Sequence, residues 1–206
     1  MTSRRRFLGA ALAGAGWVLA APEPAVAARR ARFDRDPFAL GVASGYPRAD
    51  GMVLWTRLAP EPYTTDGGAG WADLTLNYEI AEDPSFRRRI RSGTVTAPAA
   101  DAHSVHLDIT GLRPGREYFY RFRAGDAISP IGRSWTAPEP GSPAAAMAKL
   151  RVGLASCQSY EQGHYHAWRD MVARGVDLVL HLGDYIYESG SGNPVRRHDP
   201  GECVSL

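Results

Sequence analysis

A chain of 206 residues has room for one or two domains at about 150 residues each. With 44% hydrophobic, 10% aromatic and 22% charged residues it can bury a core, which excludes a disordered, collagen-like or coiled-coil polymer. The net charge of +2 arises in residues 1–27, where Arg4, Arg5 and Arg6 face only Glu23; the remainder is balanced, which excludes the basic footprint of a nucleic-acid-binding protein.

Residues 1–27 read as a leader. Ser3-Arg4-Arg5-Arg6-Phe7-Leu8 is followed by an uncharged run from Gly9 to Ala21 and by Ala25-Val26-Ala27, a small-x-small cleavage pattern. The run is too short to span a bilayer, so the segment is a secretory signal rather than an anchor. The paired arginines before Phe-Leu resemble a twin-arginine signal, an address read by the twin-arginine export machinery. The expectation is a secreted or extracytoplasmic protein without a stable membrane anchor. Two cysteines, Cys157 and Cys203, are too few for a disulfide framework.

Residues 36–140 carry short apolar stretches separated by turn signals: Phe38–Ala43, Met52–Leu58, Leu74–Ala81, Ser104–Ile109 and Tyr118–Ala124. Val105, Leu107 and Ile109 alternate with polar residues, as do Leu74, Leu76 and Tyr78, which is the period of half-buried strands. The spacing predicts an antiparallel β-sandwich. Thr110-Gly111-Leu112-Arg113-Pro114-Gly115-Arg116-Glu117-Tyr118 resembles the tyrosine corner of a fibronectin III-like sandwich, in which the Tyr118 hydroxyl returns to the backbone of the turn. Trp55, Trp71 and Trp135 are expected to pack in the core or at sheet edges. Ala137 to Ala148, rich in Pro, Gly, Ser and Ala, reads as a linker.

From residue 150 the period changes. Leu150–Ala155 is a short apolar strand, Tyr165, Trp168, Met171 and Val172 recur at helical spacing, and Val176–Leu182 is an apolar run with almost no alternation. That is a β-α-β unit whose parallel strands are covered on both faces. Its strand ends would bring Ser156-Cys157-Gln158 beside Gly183-Asp184-Tyr185-Ile186-Tyr187-Glu188, at the carboxyl edge where open α/β sheets place ligands.

That edge gathers a thiol, a carboxylate and a phenol. Sulfur with hard oxygen donors suits a transition metal, and a phenolate favours a trivalent ion such as Fe3+ over zinc. The second oxygen of Asp184 could bridge to a harder cation such as Ca2+. From residue chemistry alone the alternatives stay open. Cys157 could be a small buried hydrophobe or pair with Cys203, Asp184 could cap a helix, and Tyr187 could simply pack. His164 and His166, two apart on a helix, would diverge. His181 inside the apolar run reads as a satisfied core histidine, and His198 beside Arg196 and Arg197 as part of a solvated loop.

At these residues the sequence resembles the alkaline phosphatase D, or PhoD-like, phosphatases. The likeness runs through the arginine leader, Phe38-Ala39-Leu40-Gly41-Val42-Ala43-Ser44-Gly45, Val53-Leu54-Trp55-Thr56-Arg57-Leu58, Ala155-Ser156-Cys157-Gln158 and His181-Leu182-Gly183-Asp184-Tyr185-Ile186-Tyr187-Glu188. The resemblance implies that Cys157, Asp184 and Tyr187 are iron ligands and that the aspartate bridges to calcium. It implies a metal-dependent alkaline phosphatase or phosphodiesterase acting on phosphate esters. Purple acid phosphatases fit less well, because their first strand ends in an Asp-x-His pattern where this chain has Ser156-Cys157-Gln158.

One departure qualifies that expectation. Such phosphatases continue into an Asp-Asp-His-Glu segment and further ligands that do not occur here. Residues 150–206 are then the first part of the catalytic domain, and the chain by itself is expected to be inactive or nearly so. The reading from another class is an extracellular β-sandwich binding module with residues 150–206 as a packing extension.

Overall fold

A computed structural model of the chain describes residues 32–64, 66–70, 72–147, 149–159 and 163–187. The leader, Trp71, Glu188, Arg196, Arg197, His198 and Cys203 lie outside the described residues.

Two antiparallel sheets form the first part. Strands β1 (Val42–Gly45), β2 (Met52–Arg57) and β5 (Ser104–Ile109) make the smaller sheet, in the order β1-β2-β5. Strands β3 (Leu74–Ala81), β4 (Arg89–Ala97), β6 (Glu117–Ala124) and β7 (Ala127–Ile128) make the larger one in the order β4-β3-β6-β7, and β8 (Gly132–Trp135) also pairs with β6. Alternation sets which side chains face inward. On β2, Met52, Leu54 and Thr56 are buried while Val53, Trp55 and Arg57 are half-buried. Opposing Leu54 and Val105 from the small sheet, Leu76, Ile80, Tyr118, Tyr120 and Phe122 from the large sheet complete one core. Each such side chain contributes about 1.5–3 kcal/mol when removed from water. The result is a β-sandwich of fibronectin III type.

The turn before β6 behaves as its sequence implies. Tyr118 is buried, its hydroxyl accepts from Arg113 N at 2.9 Å and donates to the Arg113 carbonyl at 3.3 Å. Gly132 lies against the Tyr120 ring, where a Cβ would overlap it, so β8 can cross β6 only with glycine there.

Several details correct the sequence reading. Phe38–Gly41 is a turn rather than strand: Gly41 N donates to the Phe38 carbonyl at 2.7 Å, and Gly41 takes a positive φ of 73°. Strand β4 escaped notice because it is an edge strand whose sequence, Arg89-Ile90-Arg91-Ser92-Gly93-Thr94-Val95-Thr96-Ala97, buries only Ala97 fully. The stretch read as a linker contains helix α1 (Pro143–Met147), started by the Ser142 hydroxyl accepting from Ala145 N at 3.2 Å. Trp55 is half-buried on β2, and Trp135 lies exposed on β8, a strand at the edge of the larger sheet, in keeping with core or edge packing.

The second part is a β-α-β unit. Strands β9 (Val152–Ala155) and β10 (Leu178–His181) pair in parallel, with Leu154 opposite Leu180 and Ala155 opposite His181. Helix α2 (His166–Ala173) connects them and packs over Gly153, where a Cβ would lie 3.0 Å from the Met171 sulfur and 3.2 Å from Val176. Apolar side chains on this unit face solvent: Leu154 is 63% exposed, Val172 79% and Leu182 69%. Among the described residues no helix is long and apolar enough to cross a membrane.

Candidate metal centre

Both strands of the parallel pair end in loops on the same edge, and the register carries them together. Leu182 N donates to the Ala155 carbonyl at 2.8 Å, and Gln158 N donates to the Asp184 carbonyl at 3.0 Å. The ladder of β9 and β10 thereby continues into the two loops, so Cys157 and Asp184 are neighbours although 27 positions apart.

Gly183 makes the approach possible. A methyl group there would sit 2.5 Å from the Cys157 sulfur and 2.9 Å from both Cys157 N and the Ser156 Cβ, so no other residue fits without moving the loop. Cys157 itself occupies the left-handed region at φ 53°, a conformation that costs a non-glycine residue about 1 kcal/mol or more. The thiol is free and exposed.

Tyr187 joins them. Its hydroxyl lies near enough to Asp184 and Cys157 for both to act on it, and its pKa is raised to about 12. Desolvation contributes most to that rise, and the neighbouring Asp184 and Cys157 side chains add to it. A positive ion among the same three atoms reverses that electrostatic logic, because it favours thiolate, carboxylate and phenolate together. Among the described residues no three His, Cys, Asp or Glu side chains converge, so the phenol is needed to make a third donor. The donor set of sulfur, carboxylate and phenol fits a ferric ion better than zinc.

A second set of contacts ties the two loops to α2. Gln158 Nε2 donates to the Tyr185 carbonyl at 3.2 Å, and Gln158 Oε1 accepts from Trp168 Nε1 on α2 at 3.0 Å. The Trp168 ring stacks on His181, with centroids 6.0 Å apart and planes 13° from parallel, and Tyr185 meets His181 edge-on at 5.2 Å.

His181 therefore differs from the satisfied core histidine the apolar run implied. It is only half-buried, its Nδ1 lies 3.1 Å from the Gly183 carbonyl, and its buried Nε2 has no partner. The reason is its place at the last position of β10, where stacking replaces the second hydrogen bond. His164 and His166 do not diverge. Tyr165 between them takes a left-handed φ of 54° before α2 begins, and the two rings meet edge to face at 6.2 Å. Sequence reasoning named the three residues that meet here, Cys157, Asp184 and Tyr187, but passed over Gln158 and Trp168, whose neutral groups carry no signal of metal chemistry.

An antiparallel sandwich followed by a parallel pair with thiol, carboxylate and phenol at its carboxyl edge is the class of chain that two phosphatase family models describe. The family model described as "PhoD-like phosphatase, N-terminal domain" matches residues 23–138, and that of the PhoD-like phosphatase matches residues 151–206. The chain belongs to the PhoD-like phosphatase family. It is 45% identical to alkaline phosphatase D of Bacillus subtilis (strain 168) over 181 residues, covering 84% of this chain and 30% of that protein. A solved structure titled "Structure of PhoD" superposes with a TM-score of 0.74 at 45% identity, over 79% of this chain and 30% of that one. The chain thus spans less than a third of the length of the relatives it matches.

Proposed function

We propose that this chain supplies the amino-terminal sandwich, residues 36–140, and the first β-α-β unit, residues 150–206, of a metal-dependent phosphoric ester hydrolase. Cys157, Asp184 and Tyr187 would hold a metal ion here, Fe3+ by the chemistry of their donor atoms, and Ca2+ would be the second ion of the whole enzyme. The observation that carries this reading is the meeting of the three donors around Gly183, a position that tolerates no side chain.

When bound, the ions supply a lowered pKa for a coordinated water and positive charge opposite a phosphoryl group. The chain's own residues prepare that place. Gly183 lets the Asp184 loop close on Cys157, Tyr187 keeps a protonated phenol beside Asp184 and Cys157, and Asp184 keeps a carboxylate at the loop surface. Three exposed donors hold an ion weakly by comparison with a closed site, so residues 1–206 alone are expected to turn over little ester. Export by the twin-arginine route, directed by residues 1–27, delivers the folded protein outside the cytoplasmic membrane.

Full-length protein purified with iron and calcium should release phosphate from a chromogenic ester. Loss of both metal and activity in Cys157→Ala and Asp184→Asn supports the assignment; unchanged phosphate release in both variants defeats it.

A further inference from the structure

We infer that Gln158 is a positioning residue: a neutral latch that sets the distance between the Cys157 loop and the Asp184–Tyr187 loop, with Trp168 as its anchor. The inference rests on the ligand assignment above and concerns a residue that donates nothing to the ion itself.

Three bonds carry it. Gln158 N reaches the Asp184 carbonyl at 3.0 Å, Gln158 Nε2 reaches the Tyr185 carbonyl at 3.2 Å, and Gln158 Oε1 takes the Trp168 indole N–H at 3.0 Å. One residue thus joins the loop after β9, the loop after β10 and helix α2. The orientation of its amide is fixed by chemistry. An indole nitrogen only donates and a carbonyl only accepts, so Oε1 must face Trp168 and Nε2 must face Tyr185.

The position is also where the latch has most leverage. Gln158 follows Cys157, whose left-handed φ of 53° is unfavourable and relaxes unless the next residue is held. A shorter hydroxyl could not span to both α2 and Tyr185, and a carboxylate could not donate to the Tyr185 carbonyl. Glutamine meets both demands without adding charge beside the donors.

The test uses Fe3+ alone as probe in the full-length protein, followed by the visible charge-transfer absorption of ferric ion bound to thiolate and phenolate and by iron content after desalting. Gln158→Leu and Trp168→Phe should each weaken Fe3+ binding by about ten- to a hundredfold and shift the absorption band, while the thermal midpoint of the sandwich stays unchanged. Because the two side chains act as one unit, the double variant should bind no more weakly than Gln158→Leu. Wild-type affinity in Gln158→Leu overturns the inference, and so does a double variant whose losses simply add. If Gln158→Leu fails to fold, Trp168→Phe decides, since it keeps an aromatic ring and deletes the N–H. Absence of the band in the unsubstituted protein overturns the ligand assignment itself, an outcome distinguishable from failure of the latch alone.

Discussion

In the sandwich, Leu76, Ile80 and Phe122 are sealed between two sheets; in the β9–α2–β10 unit, Leu154, Val172 and Leu182 lie open to solvent. Both regions use the same local rules of alternation and helical spacing. They differ in how many layers are present, since a sandwich is closed by its own two sheets while a parallel pair needs cover on both faces. Stability therefore resides in the first region and the proposed chemistry in the second, and substitutions should separate the two.

The widest separation comes from the donors. If Cys157 and Asp184 hold the ion as proposed, Cys157→Ala and Asp184→Asn in full-length protein would remove several kcal/mol of transition-state charge stabilisation, so kcat/KM should fall on the order of a thousandfold. Both side chains are exposed, so the urea midpoint of the sandwich should not move. A parallel fall in both quantities would mean that the regions are one cooperative unit.

The converse substitution tests the sandwich. Phe122→Ala should destabilise the chain by about 3–5 kcal/mol in a urea melt, whereas Val172→Ala should stay within about 0.5 kcal/mol. Equal costs at the two sites would show Val172 to be covered in solution. A smaller effect is expected at the turn before β6, where Tyr118→Phe leaves Arg113 N without its acceptor while Thr136 Oγ1 still donates to the Arg113 carbonyl at 2.7 Å. The loss should be about 1–2 kcal/mol, and a melt unchanged from wild type would remove the corner from the account of stability.

Legibility in the sequence follows the same division. Strands with one apolar face, such as Leu74–Ala81 and Ser104–Ile109, appear in the structure at the boundaries their alternation implied. Edge strand β4 did not, because an edge has less to bury and its arginines turn to polar partners: Arg89 pairs with Glu79, which Arg121 also holds at 2.6 Å, and Arg91 donates to the Thr110 carbonyl. At the candidate centre, Cys157, Asp184 and Tyr187 stood out because their side chains carry the chemistry. Gln158 and Trp168 did not, because their importance lies in a distance between two loops, which only the fold brings together.

The smallest expected effects sharpen the comparison by acting at opposite ends of the pH scale. At the β3–β4 turn, Asp83 accepts from the Ser85 hydroxyl and from Arg88 N at 2.6 Å, and its carboxyl is held down to about 2 against an ordinary 3.8. A depressed folded value means that the contact stabilises fully above the ordinary value and is lost as pH falls through about 2. Glu79 shifts in the same direction: burial would raise it, but the bonds from Arg121 and Arg89 outweigh that and lower it. Asp83→Asn should therefore flatten the acid limb of the sandwich's thermal midpoint, leaving the part due to Glu79, and an unchanged limb would show that the turn does not couple to folding. Tyr187 behaves oppositely. Its value is raised to about 12, so its proton stays until strongly alkaline pH, and the stabilisation of the protonated form beside Asp184 and Cys157 is present below the ordinary 10.0 and lost on passing through about 12. The tyrosinate absorbance missing from Tyr187→Phe should therefore rise near that pH without metal, and should move to lower pH when Fe3+ is added, because a cation favours the phenolate. A step that stays in place with Fe3+ present would take Tyr187 out of the ligand set and leave Cys157 and Asp184 as its members.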